Sequence, residues 1–408
     1  MRQGKYLGRL VAALGLMVLL AVPHSALAGE TGTLNHAQVA QKVQLLEKII
    51  GDYYLFDYDS RELEEGLYSG MLAGLGDEYS AYYTKDEYDH FIEEMQGNYC
   101  GIGLTVEQNL ITGTITVKET DANGPASRSG ILPGDILTAV NGVPTSGKLL
   151  DDIICDEIRG EAGTAVTVTI YRPDTGETLV KEIKRAVLEN FSVKSRMLTD
   201  QIGYVQITLF DERTAEQFEQ AVTTLQAQGM RRLIIDLRDN PGGILASAVD
   251  MLAYLLPPGK IAYTMDKNGE GTLYQSKDGY LIESGYPEKE PAFRLLKKKD
   301  EHELKLPMAV LVNQNSASAA ELFAGVLKDY HWAAIVGEQT FGKGIVQNVF
   351  SLTDGSAVKL TVSHYYTPSG YEIHQNGITP DVKIAPDNNA PPGGDMMLEK
   401  AIEVVKNR

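Results

Sequence analysis

The sequence predicts an α+β multidomain protein, in which a helical N-terminal region precedes an α/β core interrupted by a β-rich unit. Three observations carry this. Apolar residues fall at helical spacing between positions 34 and 96, glycine-punctuated strand patterns fill 97–186, and apolar strands alternate with helical stretches from 187 to 384. The chain has 408 residues, enough for two or three domains with their own cores. Its 43% apolar and 23% charged composition is that of an ordinary globular protein.

Arg2, Lys5 and Arg9 precede an apolar run from Leu10 to Val22, and Ala26-Leu27-Ala28 follows. That order is a secretory signal, so residues 1–28 are expected to be cut away and the protein exported across the cytoplasmic membrane. The run is shorter than the roughly 20 residues of a membrane span. Kept uncleaved, it would serve as a membrane anchor. Cleavage removes three positive charges and takes the formal net charge from −18 to −21. Such acidity argues against nucleic acid or anionic lipid as a partner, since both are polyanions. With only Cys100 and Cys155, the chain has no disulfide framework. The seven histidines are scattered, no spacing resembles a metal site, and no cofactor is indicated.

In the helical region 29–96, Val39, Val43, Leu46 and Ile50 share one face, and Leu63, Leu67, Met71 and Leu72 begin a second helix. Gly74, Gly76 and the segment Tyr79–Tyr83 break it. From Gly97, strands are expected at Leu104–Val106, Ile111–Val117, Val166–Tyr171 and Leu179–Lys184, with a helix from Leu149 to Arg159 ended by Gly160. In the core, 187–384, the expected order is strand Ile202–Thr208, helix Thr214–Gln228, strand Leu233–Leu237, a helix to Leu255, strand Met308–Val312 and helix Ser316–Tyr330. Polar residues 266–304 read as an excursion from the core. Residues 385–408 read as a linker, centred on Asn388–Asp395, and a terminal helix, Met397–Val405. Helices outside the core leave room for a homodimer.

Within 97–186 two motifs stand out. One runs Ala126-x3-Gly130-Ile131-x2-Gly134-Asp135-Ile136-Leu137-x2-Val140-Asn141-Gly142, and the other is Cys100-Gly101-Ile102-Gly103-Leu104. Glycines let the second loop curl so that successive N–H groups point inward and form a nest for a carboxylate. Together the motifs resemble a PDZ domain, and the resemblance covers the whole unit. It implies capture of an extended protein C-terminus by Gly101, Ile102, Gly103 and Leu104, with Ile102, Leu104, Ile153 and Ile154 walling an apolar pocket. It also implies that Cys100 and Cys155 flank the groove, as two buried thiols or as a disulfide. Arg159 either complements the helix C-terminus or contacts the core or an incoming substrate.

In the core, Ser318 lies where an apolar strand turns into a helix, flanked by Ala317, Ala319 and Ala320. A helix N-terminus offers unpaired N–H groups and a positive dipole end, which stabilise an oxyanion formed on attack at a carbonyl. A serine there is also a common helix cap, so the chemistry needs a base. No Gly-x-Ser-x-Gly elbow with a histidine partner is present. Lys343, between Gly342 and Gly344, can act only if desolvation lowers its pKa. Gln347, inside the apolar strand Ile345–Val349, needs a polar partner, and a hydrogen bond to the lysine amine would supply one.

Val312-Asn313-x2-Ser316-Ala317-Ser318-Ala319-Ala320-Glu321, then Val336-Gly337-Glu338-x-Thr340-Phe341-Gly342-Lys343-Gly344-x2-Gln347, resembles the core of the carboxyl-terminal processing peptidases. The resemblance runs from about residue 36 to 383 and includes Ile234-Ile235-Asp236-Leu237-Arg238-Asp239-Asn240-Pro241-Gly242-Gly243. It implies a ββα-type, crotonase/Clp-like core, with Ser318 as nucleophile, Lys343 as general base and Gln347 orienting it. The N–H of Ala319 and that of Gly242 or Gly243 would bind the oxyanion. Gly76-Asp77-Glu78-Tyr79-Ser80 matches the family only loosely. Proteins or peptides with accessible C-termini are then the expected partners. The competing expectation is a non-catalytic binder of peptides or hydrophobes on the same fold, which would have no use for a Ser–Lys–Gln set.

Overall fold

The computed structural model describes residues 33–109, 112–189, 191–278, 280–287, 294–298, 303–384 and 394–408. The signal segment 1–28 and most of the linker around Asn388–Asp395 lie outside them. The chain divides into two units, residues 1–62 and 63–408. In the first, helix His36–Tyr53 begins on Asn35, whose side chain accepts from the Gln38 N–H. No residue of this helix is buried, and Val39, Leu45, Leu46 and Ile49 are exposed.

The centre of the second unit is a six-stranded sheet. Its order is Val193–Thr199, Ile202–Ile207, Arg232–Asp236, Met308–Val312, Ala333–Gly337 and Val382–Lys383, parallel from the second strand onward. Parallel strands covered on both faces read as unbroken apolar runs, and Met308–Val312 is buried at every position. Helices Thr214–Ala227, Leu245–Leu255 and Ala319–Asp329 pack into the larger apolar cluster on one side. The terminal helix Met396–Asn407 covers the other side with Met397, Ala401 and Val405, over Ile234, Leu311 and Val336. Its position is fixed by Arg238, which donates to Asp236 and, at 2.8–2.9 Å, to Asp395 at the helix N-cap.

A second, seven-stranded sheet holds the strand pair Ile345–Ser351 and Ala357–Tyr366. Residues 266–304, expected as an excursion from the core, include three strands. Gly271–Lys277, Tyr280–Tyr286 and Arg294–Lys298 extend this sheet, and Leu273, Ser276 and Leu281 on the first two of them are buried. The helical region is also interrupted: Ala81–Tyr83 is a strand, paired antiparallel with Ala357–Lys359. Helix Lys85–Met95 follows, closed by a capping box between Thr84 and Glu87.

Strands Asn98–Gly101 and Ala186–Glu189 pair antiparallel and form the neck of the inserted unit. That unit is a six-stranded antiparallel sheet around Ile115, Leu137, Val166, Val168 and Ile170. The helix expected over Leu149–Arg159 is an α-turn, Leu150–Ile153, continued by a π-helical segment, Ile154–Ile158. Arg185, not Arg159, satisfies its end: the Arg185 guanidinium donates to the carbonyls of Ile158 (2.8 Å) and Glu157 (2.9 Å).

Candidate active site

Ser318 is the N-cap of helix Ala319–Asp329 and has φ 55° and ψ −120°. A non-glycine residue held there stores roughly 1–3 kcal/mol, which surrounding contacts must offset. Those contacts are visible. Ser318 N–H donates to the Glu321 carboxylate at 2.9 Å, and Ala317 N–H donates to the Asn240 carbonyl at 2.9 Å. Gly242 lies directly beneath, since a Cβ there would stand 2.6 Å from Ser318 Cβ. With φ +100°, the position suits only glycine.

Glu321 has a role that the sequence motifs do not announce. Its side chain is fully buried and accepts four hydrogen bonds: from Thr340 Oγ1 (2.6 Å), Gly342 N–H (2.7 Å), Lys343 N–H (2.8 Å) and Ser318 N–H (2.9 Å). One carboxylate thus clamps the Ser318 turn to the Lys343 loop. Burial pushes its carboxyl above the usual range, and the four donors pull it back. The clue in the sequence is a charged residue three positions into a helix that is otherwise apolar up to Lys328. Tyr365 adds a second link, with its hydroxyl donating to the Lys343 carbonyl and interacting with the Ser318 side chain.

Ser318, Ala319, Gly243, Lys343 and Gln347 line one cavity of about 490 Å³, with Phe91, Ile244, Leu245 and Tyr274 among its apolar walls. Burial lowers the Lys343 pKa, and the neighbouring Lys359 charge lowers it further; Asp77, Glu78 and Glu321 oppose them. Its ammonium stands 4.4 Å from the centre of the Tyr79 ring. Gln347 shares the cavity, but its Nε2 donates to Thr361 Oγ1 at 3.4 Å and not to the lysine. Of the glycine pair, Gly242 N–H is taken by Asn240 Oδ1 at 2.8 Å, while Gly243 N–H and Ala319 N–H have no partner among the described residues. A serine at a helix end, a desolvated amine and two N–H groups without partners among the described residues are the types of group that acyl transfer uses.

The second cavity, about 270 Å³, is the groove of the inserted unit, and Gly101, Ile102, Gly103, Leu104 and Arg159 all line it. The N–H groups of Ile102 and Gly103 have no partner among the described residues, as a carboxylate nest needs. Ile154 and Ile158 form its helical wall; Ile153 points instead into the core of the unit, with no exposed surface. Arg159 reaches the neck, its guanidinium 5.9 Å from the Tyr99 ring centre. Cys100 is a buried free thiol, and the Cys155 side chain lies outside the described residues. Among the described residues no His, Cys, Asp or Glu cluster could hold a metal ion, and no helix is long and apolar enough to cross a membrane.

Fold and site together define a PDZ-bearing α/β protein with a strained serine and a desolvated lysine on one cavity. The chain belongs to peptidase family S41. The model of that family matches residues 201–384, and a PDZ model matches 116–172. A "Probable CtpA-like serine protease" of Staphylococcus aureus is 34% identical over 343 residues, covering 84% of this chain and 64% of the relative. A protein of the same description from Staphylococcus epidermidis is 33% identical over 354 residues, covering 86% of this chain and 67% of its own. The chain thus spans about two thirds of the length of these relatives. A solved S41 protein from Bacteroides fragilis shares the fold at a TM-score of 0.52 and 16% identity, over 83% of this chain and 90% of that one.

Proposed function

We propose that this protein is an exported serine endopeptidase that captures protein C-termini in its PDZ groove and cleaves the chain at Ser318. The observation that carries the proposal is the Glu321 clamp, which brings a strained serine and a desolvated lysine onto one cavity. Neutral Lys343 takes the Ser318 hydroxyl proton as Oγ bonds to the peptide carbonyl carbon. The oxyanion is held by the N–H groups of Ala319 and Gly243, Gly242 being committed to Asn240. The C–N bond then breaks, the lysinium proton goes to the departing amine, and water hydrolyses the ester. Gln347, on the same cavity and donating to Thr361 Oγ1, is assigned the orienting role by its place in the motif, without a direct bond to the amine.

Substrate entry follows the same reading. The peptide carboxylate sits on Ile102 and Gly103 N–H, and Arg159, at the neck, couples the groove to the core. The exposed apolar face of helix His36–Tyr53 supports a homodimer built on that helix. The acidic chain is expected to act outside the cytoplasm, free or held by an uncleaved N-terminus.

The test is proteolysis of an unstructured protein with an apolar C-terminus, comparing the parent with Ser318→Ala and Lys343→Ala. Cleavage by the parent and not by the folded variants supports the assignment. A folded parent that binds such C-termini but never cleaves them makes the protein a binder.

A further inference from the structure

The loosely matching segment Asp77–Ser80 lies against the lysine. Its turn is internally fixed, with Tyr79 N–H donating to Asp77 Oδ1 at 3.0 Å and Ser80 Oγ to Asp77 Oδ2 at 2.5 Å. It is also fixed to the core. Thr361 N–H donates to Ser80 Oγ at 3.1 Å, the Thr361 hydroxyl bonds Asp77, and the same hydroxyl accepts from Gln347. The next strand, Ala81–Tyr83, continues the attachment along Ala357–Lys359. The Tyr79 ring is thereby held over the Lys343 ammonium, 4.4 Å from ring centre to Nζ.

Resting on the Ser318–Lys343 reading, we propose that Tyr79 is a positioning residue for the general base: its ring closes the solvent side of Lys343, and the Asp77–Ser80 turn keeps it there. A ring face attracts an ammonium ion less strongly than water solvates it. The ring therefore favours the neutral amine while restricting where that amine can stand. The charged and titratable groups around the lysine are Asp77, Glu78 and Tyr79 on the turn, Glu321 on the nucleophile helix, and Lys359 on strand Ala357–Tyr366. Asp77, Glu78 and Glu321 are acidic and favour the ammonium. Exclusion of water, with help from Lys359, has to outweigh them.

The experiment follows phosphonylation of Ser318 by a small fluorophosphonate across pH, which bypasses the PDZ groove. It compares the full chain with Tyr79→Phe, Tyr79→Ala, Ser80→Ala and Lys343→Ala. In Tyr79→Ala the midpoint of the rise should move to higher pH by about half a unit or more, with the rate at pH 7 falling roughly tenfold. Tyr79→Phe should keep the parent midpoint, and Ser80→Ala, which loosens the turn without changing charge, should shift it upward less. If Lys343→Ala is inert but Tyr79→Ala keeps the parent midpoint or lowers it, the positioning role is overturned. If Lys343→Ala reacts like the parent, the base assignment itself fails. Should Tyr79→Ala not fold, Ser80→Ala decides by the same criterion.

Discussion

Glu321 does at the residue scale what the Ser318 and Lys343 motifs cannot do alone. Its two carboxylate oxygens accept from both loops, so the geometry of the pair depends on one buried anion. Glu321→Gln would set an amide N–H₂ against those donors. It should cost about 1–3 kcal/mol of stability and lower kcat/KM roughly a hundredfold, read by thermal melting and peptide hydrolysis. Gly242→Ala should be inactive even where it folds, since its Cβ would force Ser318 away. The pH profile follows from the lysine. Its pKa is lowered, the base must be neutral, and so activity should rise with pH through a midpoint below the ordinary lysine value. A rate independent of pH between 5 and 9 would remove Lys343 from the mechanism.

Among elements, the neck and the groove helix carry the next prediction. Arg185 stands one residue before neck strand Ala186–Glu189 and holds the carbonyls of Glu157 and Ile158 at the end of the groove wall. It also donates to Thr164 Oγ1 at 2.9 Å. Arg185→Ala releases these groups where the wall meets the neck. Affinity for a C-terminal peptide should fall about tenfold while hydrolysis of a small activated ester at Ser318 stays at the parent rate. Equal peptide binding by parent and variant, measured by titration calorimetry, would show that the cap does not shape the groove. The π-helical turn was not legible in the sequence, because Leu149–Arg159 has ordinary helical spacing. The carbonyls at its end are held by an arginine about 27 residues further along.

For the whole molecule, the six-stranded sheet has two differently covered sides. One packs against helix Ala319–Asp329, whose N-terminus holds Ser318, and the other is closed by helix Met396–Asn407. Removing residues 395–408 would expose Ile234, Leu311 and Val336 and leave Arg238 with Asp236 alone. The loss of roughly 4 kcal/mol of apolar burial should lower the melting temperature by about 10 °C. Activity should fall too, since Arg238 begins the turn that ends in Gly242 and Gly243.

The sequence by itself determined the parts whose physics is local. Unbroken apolar runs marked the parallel strands, and the glycine loop and the Ser318 and Lys343 motifs marked segments that line the two cavities. Tertiary structure decided how those parts meet. Glu321 reads as one acidic residue in a helix until the Lys343 loop folds onto it. Gly242 and Gly243 are equivalent in sequence, and only the Asn240 side chain distinguishes their N–H groups. Tyr79 and Lys343 are over 260 positions apart, joined by pairing between Ala81–Tyr83 and Ala357–Lys359 that no periodicity announces. The reason is common to all three. Periodicity reports which face of an element is buried, whereas hydrogen bonding and desolvation depend on which distant groups arrive there.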